Sequence, residues 1–307
     1  MRYKCYCLNF PNGLHVGGTS LDESEMTFSA DTLFSALFQE AILSDKSDML
    51  LGNVKSGKLL LSDAFPYIGE TLYLPKPVLR VNVKDSKGDS VQKKAFKKLD
   101  FIPVDEMDTY LSGKMDAAHQ TEKLKEMSAT TLKTSAAIHG VDETLPYGVG
   151  VRYFAQNAGL YVICGTENDY VEGFLYDLLD SLSFSGIGGK RRSGIGRFTI
   201  TKEKEMPSYL FEGNASRYMS LSISLPREDE LDSVLEDAFY QIRKRGGFVA
   251  SETYANEPLK KKEIYMVAAG ATFAHKYDGD VYDVSVAGLH PVYRYGKPIF
   301  YVLPEVK

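Results

Sequence analysis

Apolar residues recur along this chain at two spacings, and the switches between them predict its elements. Residues 2–10 alternate weakly and are rich in Tyr and Cys, the pattern of a first strand. They run into Pro11-Asn12-Gly13-Leu14-His15-Val16-Gly17-Gly18, a turn-rich segment. From 29 to 43 the spacing lengthens: Leu33, Phe34, Leu37, Phe38, Ala41 and Ile42 make a wide helical stripe, and Ser29 or Asp31 can cap its start. After a polar linker, residues 58–62 return to a strand-like run. Residues 159–165 are a strongly apolar strand, and Val171, Phe174, Leu175, Leu178, Leu179 and Leu182 follow at the offsets of an amphipathic helix. Residues 197–201 then read as a strand. Strand, helix, strand, repeated once, is the order of a ferredoxin-like split βαβ unit.

The second half repeats the theme. Residues 217–225 alternate, and Leu231, Val234, Leu235, Ala238, Phe239 and Ile242 reproduce the offsets of the earlier helix. That predicted helix runs into Arg243-Lys244-Arg245-Gly246-Gly247, so a device of helix, cations, glycines and strand occurs twice. Residues 264–269, 281–286 and 299–303 predict further strands, and 290–296 an aromatic and cationic bend. Between the halves of the first unit the composition changes. Residues 80–144 gather Lys84, Lys87, Lys93, Lys94, Lys97 and Lys98 without a long periodic apolar face. An insertion arm with a hairpin and a short helix near 104–111 is one reading; a solvated, lysine-rich loop is the other. The fold class expected is α+β, two ferredoxin-like (RRM-like) domains in tandem. The first would be 1–210, with the arm at about 80–144 and a glycine-rich loop at 183–198, and the second 211–307.

The 307 residues suit two domains, and the apolar share of 44% is that of a globular chain. No run approaches the ~20 apolar residues of a spanning helix, and the start reads as a strand rather than a signal peptide, so no membrane and a cytoplasmic location are expected. Cys5, Cys7 and Cys164 cannot all pair, Cys5 and Cys7 share a strand face, and the five histidines show no metal-ligand spacing. Buried reduced thiols, no metal and no cofactor are the expectation. A net charge of −5 argues against indiscriminate coating of nucleic acid, but leaves room for a local basic seat.

That seat is the stretch 183–198, S-F-S-G-I-G-G-K-R-R-S-G-I-G-R-F. Gly186, Gly188, Gly189, Gly194 and Gly196 surround Lys190, Arg191, Arg192, Ser193 and Arg197, with no acid among them. Glycine lets another backbone come close, and Arg and Lys bring charge-assisted donors suited to phosphate. Neither nucleotide loop fits. Gly189-Lys190 is followed by Arg191, so it is not a Walker loop, and Arg191 stands where the dinucleotide fingerprint needs its third glycine. A helix precedes and a strand follows, so no helix N-terminus faces a bound phosphate. A flexible, solvated basic loop is the bland reading; a polyanion clamp is the sharper one.

Three segments, taken together, resemble a family. They are P-N-G-L-H-V-G-G with S-A-D-T-L-F-S-A-L, then G-I-G-G-K-R-R-S-G-I-G-R-F, then R-G-G-F-V-A-S with H-P-V-Y-R-Y-G-K. In that order, and over nearly the whole chain, they are similar to the Cas5-like RAMP subunit of type III-A CRISPR effectors, the fourth subunit of the Csm complex. The resemblance implies a non-catalytic subunit of a cytoplasmic ribonucleoprotein in antiviral defence. Such a subunit grips the 5′ handle of the guide RNA (crRNA), caps the backbone RAMP filament, and docks the large polymerase-like, cyclase-like subunit. It implies that the arm is a thumb near target RNA, although 134–139 (T-S-A-A-I-H) departs from the Arg-rich pattern expected there.

The RNA-binding residues expected are Lys190, Arg191, Arg192, Ser193 and Arg197 with Gly188, Gly189, Gly194 and Gly196. His15, Gly17, Gly18, Ser29, Arg245, Gly246, Gly247 and Arg294 complete the set. Asp31 and Thr32 join Ser29 as a partner surface or only as a helix cap. Twenty Tyr and 16 Phe supply stacking surface for bases. The competing class is a metal-independent repeat endoribonuclease with His15 as general base; a third is a scaffold whose basic loop meets an acidic protein. The acidic residues Glu228, Asp229, Glu230, Asp232, Glu236 and Asp237 are a protein contact or a solvated helix face.

Overall fold

Every residue of the strand Ala158–Thr166 is buried, and the molecule is layered on its two faces. The computed structural model describes residues 1–18, 20–82, 90–137, 145–251 and 253–305. In chain order the first part comprises β1 (Arg2–Asn9), α1 (Ala30–Leu43), α2 (Ser47–Lys55), β2 (Leu59–Ile68) and β3 (Thr71–Pro75). The arm follows: α3 (Ser90–Lys98), β4 (Phe101–Pro103), α4 (Met107–Leu111), α5 (Ala117–Glu126), and β5 (Ser128–Ala137) paired with β6 (Leu145–Phe154). The strand above is β7, and α6 (Asp169–Ser185) and β8 (Thr199–Met206) follow. One sheet runs in the order β4-β3-β2-β7-β1-β8, antiparallel at every step.

Alternation along the central strands sorts two cores. On one face, Leu8 of β1 and Leu160, Val162 and Cys164 of β7 meet Leu33, Phe34 and Leu37 of α1 and Leu175, Leu178 and Leu179 of α6. On the other, Cys5, Cys7, Tyr161 and Ile163 meet Phe65, Tyr73 and the arm residues Phe96, Leu99, Ile102, Tyr110 and Leu124. Period-two alternation thus explains why Cys5 and Cys7 face away from Cys164, and all three are free and buried. Asn168 caps α6 by accepting from the Val171 N–H at 3.0 Å, and the helix ends at Gly186.

The C-terminal part comprises β9 (Tyr218–Ser220), α7 (Leu231–Leu235), β10 (Ile242–Arg245), β11 (Ile264–Val267), β12 (Thr272–Phe273), β13 (Val281–Asp283), β14 (Tyr293–Tyr295) and β15 (Phe300–Val302). They pair antiparallel as β12-β9-β15, β10-β11 and β13-β14. Both cores cross from the first part into this one: Ile223, Met266, Val281 and Tyr295 complete the first, and Met219, Leu221, Ile299, Tyr301 and Leu303 the second. A bulge in β2 makes the join. The ladder with β7 shifts register between Leu61 and Ala64, freeing backbone groups for other partners. The Leu61 N–H donates to Tyr295 Oη at 2.8 Å, its carbonyl accepts from Ser222 Oγ at 2.7 Å, and the Asp63 N–H donates to the Leu221 carbonyl at 2.9 Å.

Three expectations change. The polar linker before β2 contains α2, which buries Leu50 and Val54 and packs Leu51 partly against the first core, too short a stretch to show a period. The arm is more than a loop: it carries the short helix at Met107–Leu111 and a hairpin, as expected, but also α3 and α5, whose apolar residues enter the second core. Lys84, Lys87 and residues 138–144 lie outside the described residues. The third change is the helix expected over 231–242, which stops at Leu235. Glu236 turns to extended backbone and Asp237 takes φ 52°. Phe239 then exchanges two 2.9 Å backbone hydrogen bonds with Thr272, and Ile242–Arg245 pairs with Ile264–Val267. The apolar offsets suit a helix, but the C-terminal strands need partners for their N–H and C=O groups, and pairing wins. The device of helix, cations, glycines and strand therefore occurs once.

Candidate nucleic-acid interface

The glycine-rich loop is a packed clasp. It leaves α6 at Gly186, and the Ile187 N–H donates to the Gly196 carbonyl at 2.9 Å, closing the loop on itself. A Cβ on Gly196, at φ +81°, would lie 2.0 Å from the Ile187 carbonyl oxygen, and one on Gly188 would lie 2.3 Å from that of His15. These glycines permit backbone to touch backbone. Ile187 and Ile195 turn inward, Ile195 against Val149 and Val151 of β6. Residues Arg191–Ser193 form one 3-10 turn between left-handed Lys190 and Gly194, and this turn lifts the cations outward.

Each anchor comes from a distant part of the chain. The Gly189 N–H donates to the His15 carbonyl at 2.8 Å, the Gly196 N–H to the Gly13 carbonyl at 2.9 Å, and Asn12 Nδ2 to the Gly194 carbonyl at 3.3 Å. Lys190 Nζ donates to Tyr147 Oη at 3.0 Å and lies 4.5 Å from the centre of that ring. The hydrogen bond to this ammonium lowers the Tyr147 phenol below its usual range. Arg191 donates to Gln39 Oε1 of α1 at 2.9 Å. Arg192, Ser193 and Arg197 are exposed, while Lys190 and Arg191 are half-buried against neutral partners that leave their charge intact. Among the described residues Arg197 has no carboxylate partner. The clasp can therefore present converging donors to an anionic backbone.

His15 is 7% exposed, and its Nδ1 lies 2.7 Å from the Gly150 carbonyl. It pins the loop to β6 through both ring and backbone, while Gly17 and Gly18 beside it are exposed. Ser29, Arg245, Gly246 and Arg294 gather elsewhere, around Asp31 at the start of α1. Arg245 donates through Nε to Asp31 Oδ2 at 2.9 Å and through Nη2 to Oδ1 at 2.8 Å, and Arg294 Nη1 also donates to Asp31 Oδ2. Arg245 Nη2 reaches Ser29 Oγ and Thr32 Oγ1 as well, each at 3.0 Å, and Arg294 Nη2 reaches the Gly246 carbonyl at 3.1 Å. Ser29 occupies the N-cap position of α1 without a side-chain cap bond; its hydroxyl donates to Asp31 instead. Burial alone would raise the Asp31 carboxyl, but the charge and hydrogen bonds of Arg245, with the charge of Arg294, hold it below its usual range.

Beside this cluster Asp63 Oδ1 accepts from the N–H groups of Ala30 and Ile223, each at 2.8 Å, tying the α1 start to the C-terminal part. Burial pushes the Asp63 carboxyl up to about 7 against those two donors. Asp31 and Gln39 stand eight residues apart on α1, about 12 Å at the helical rise. The two groups of candidate residues thus meet one helix about two turns apart. Gly247, at φ +106°, is exposed beyond the second group. Asn12, in the turn before His15, and Tyr147, Gln39 and Gly150 also belong to the clasp; the last three carry no local sequence signal, since each meets the loop only through the fold. Among the described residues no group of His, Cys, Asp and Glu is arranged to hold a metal.

Comparison with known proteins follows the same lines. The family model described as CRISPR Csm4 C-terminal domain matches residues 213–303. The curated protein "CRISPR system Cms protein Csm4" of Mycobacterium tuberculosis is 40% identical over 294 residues, 95% of each chain. Its namesake in Streptococcus thermophilus is 35% identical over 317 residues, 99% of each. Among solved structures, a chain of a Csm3-Csm4 subcomplex in the type III-A CRISPR-Cas interference complex superposes with TM-score 0.68 at 18% identity, over 99% of this chain and 100% of that one. A chain of a Csm1-Csm4 cassette in complex with pppApA gives 0.61 at 17% identity, with the same coverage. The mixed α/β architecture of antiparallel sheets is thus that of proteins from CRISPR effector complexes. Within that class, the extended identity with curated relatives is decisive: the chain belongs to the Csm4 family.

Proposed function

We propose that this chain is the non-catalytic, RNA-holding subunit of a cytoplasmic type III-A CRISPR effector. In this reading it retains the 5′ handle of the guide RNA and bridges the large polymerase-like subunit to the backbone filament. Relatives of the same family stand in solved assemblies with Csm3 and with Csm1. The observation that carries the RNA assignment is the clasp: a rigid, glycine-packed loop that holds Lys190 and Arg191 on neutral partners and leaves Arg192, Ser193 and Arg197 exposed. Gly188, Gly189, Gly194 and Gly196 shape it, and His15, Gly17 and Gly18 flank it. Ser29, Arg245, Gly246, Gly247 and Arg294 form a second seat at the start of α1. There the two guanidinium groups are committed to Asp31, and Arg294 also donates to the Gly246 carbonyl.

One ferredoxin-like unit in the first part finds support in the strand order β2-β7-β1-β8 with α1 and α6 as crossovers; a second unit in the C-terminal part, with its three separate small sheets, is proposed from the family resemblance alone. Division into 1–210 and 211–307 is a topological reading, because both cores draw on both parts. The arm at about 80–144, to which β5 belongs, is the candidate thumb facing target RNA. The nuclease reading is disfavoured by the burial of His15 and its engagement with Gly150. To test the main reading, Lys190, Arg191 and Arg192 are changed together to Gln and guide-RNA retention by the assembled complex is followed against salt. Each lost phosphate contact on a single strand removes about 0.7 from the log-log salt slope, so weaker retention and a slope smaller by about 2 are expected. An unchanged slope refutes the assignment.

A further inference from the structure

The arm carries a basic surface distinct from the clasp. Helix α3 buries Phe96, with Leu99 just beyond its end, in the second core and turns Lys93, Lys94, Lys97 and Lys98 to solvent. These positions fall at i, i+1, i+4 and i+5, so they form two parallel ridges on one face, each spanning about 6 Å along the axis. The helix contains no acid, and among the described residues Lys94, Lys97 and Lys98 have no carboxylate partner. Its position is fixed from below. Lys76 Nζ donates to the carbonyls of Phe96 and Lys97 at 3.2 and 3.0 Å, satisfying the C-terminal end, and α5 packs alongside. Like charges one helical turn apart repel, and in a chain of net charge −5 this cationic face stands out.

We propose that the lysine face of α3 docks the phosphate backbone of double-stranded RNA. The proposal rests on the reading of the chain as an RNA-binding subunit and adds a surface directed at duplex. Two features favour duplex over single strand. Single strands are held by stacking their bases on aromatic groups, and the aromatic residue of α3, Phe96, is buried in the core. A-form duplex is recognised by shape and by phosphate and sugar contacts, and a flat double row of lysines on a rigid helix offers charge at regular spacing and nothing that reads a base.

The test uses the assembled effector loaded with guide RNA, carrying Lys94→Gln, Lys97→Gln and Lys98→Gln together. Gln keeps helix propensity, and a companion variant with Arg at the same three positions keeps the charge. A complementary RNA strand, which forms duplex with the guide, is titrated across a salt series. The expected result is at least a tenfold loss of affinity, a salt slope smaller by about 2.7, the duplex figure for three lost phosphate contacts, unchanged guide retention, and recovery in the Arg variant. Unchanged affinity and slope overturn the proposal. Loss of the guide strand itself overturns it in favour of a single-strand seat, and loss of a protein subunit in favour of a protein interface. Failure of the clasp reading is separable, because it would show as full guide retention after the Lys190, Arg191 and Arg192 substitutions.

Discussion

Changing Asp31 to Ala removes a carboxylate whose side chain is 1% exposed and which neutralises two guanidinium groups, those of Arg245 and Arg294 with side chains 28% and 7% exposed. Breaking a buried ion pair by deleting one partner costs about 3–5 kcal/mol, because the remaining charge stays buried without compensation. Here two cations are stranded, one of them nearly inaccessible, and Ser29 loses the acceptor of its hydroxyl, so the upper part of that range is expected. For a chain this long, about 4 kcal/mol lowers Tm by on the order of 10 °C. Thermal unfolding followed by circular dichroism at neutral pH measures it. A companion variant with Asp31→Leu, Arg245→Met and Arg294→Leu removes all three charges and recovers most of the loss, since an apolar replacement of a buried cluster is often neutral. The pH dependence follows from the depressed carboxyl: its stabilisation is present above the unfolded value of 3.8 and disappears as pH falls through the lower folded value. A loss below 1 kcal/mol for Asp31→Ala, or a triple variant no better than the single, refutes the account of a buried, charge-compensated cluster.

Asp63 titrates in the opposite sense. Its folded carboxyl lies near 7 rather than 3.8, so the folded state holds a proton that the unfolded chain releases, and stability falls as pH rises from about 4 to 7. Asp63→Asn keeps the acceptor for Ala30 and Ile223. It flattens that slope and stabilises the protein at pH 8 by as much as about 4 kcal/mol, three units at 1.36 each; parallel denaturation curves for the two proteins contradict this. Gly196→Ala places a methyl group 2.0 Å from the Ile187 carbonyl at φ +81°. Left-handed backbone alone costs an alanine about 1–2 kcal/mol, so the clasp opens and the amides of Ile187 and Phe198 exchange faster. Unaltered exchange at both would show the loop to be less tightly packed than its contacts imply.

Long periodic segments were legible in advance. β1, α1, β7 and α6 each carry enough apolar positions to declare a face, and the cations and glycines of 183–198 announced an anion-binding surface. Shorter elements were not legible: α2 has two buried apolar residues, and the helices of the arm become amphipathic only against the second core. The stretch 231–242 shows the limit of periodicity. Its offsets match those of α6, yet α6 closes with the capping of Asn168 and Gly186, whereas 236–245 is drawn into pairing with Thr272 and with β11.

Arg245 and Arg294 show the same limit for chemistry. Beside glycines and aromatics, both resemble solvent-facing phosphate ligands, but their partner Asp31 lies more than 200 residues away in sequence. The amino-acid sequence by itself determined the family, the main α1 and α6 framework, and the loop that concentrates positive charge. Only the tertiary structure decided which cations are paired with a carboxylate and which stand without one, because that choice depends on long-range partners that no local pattern encodes.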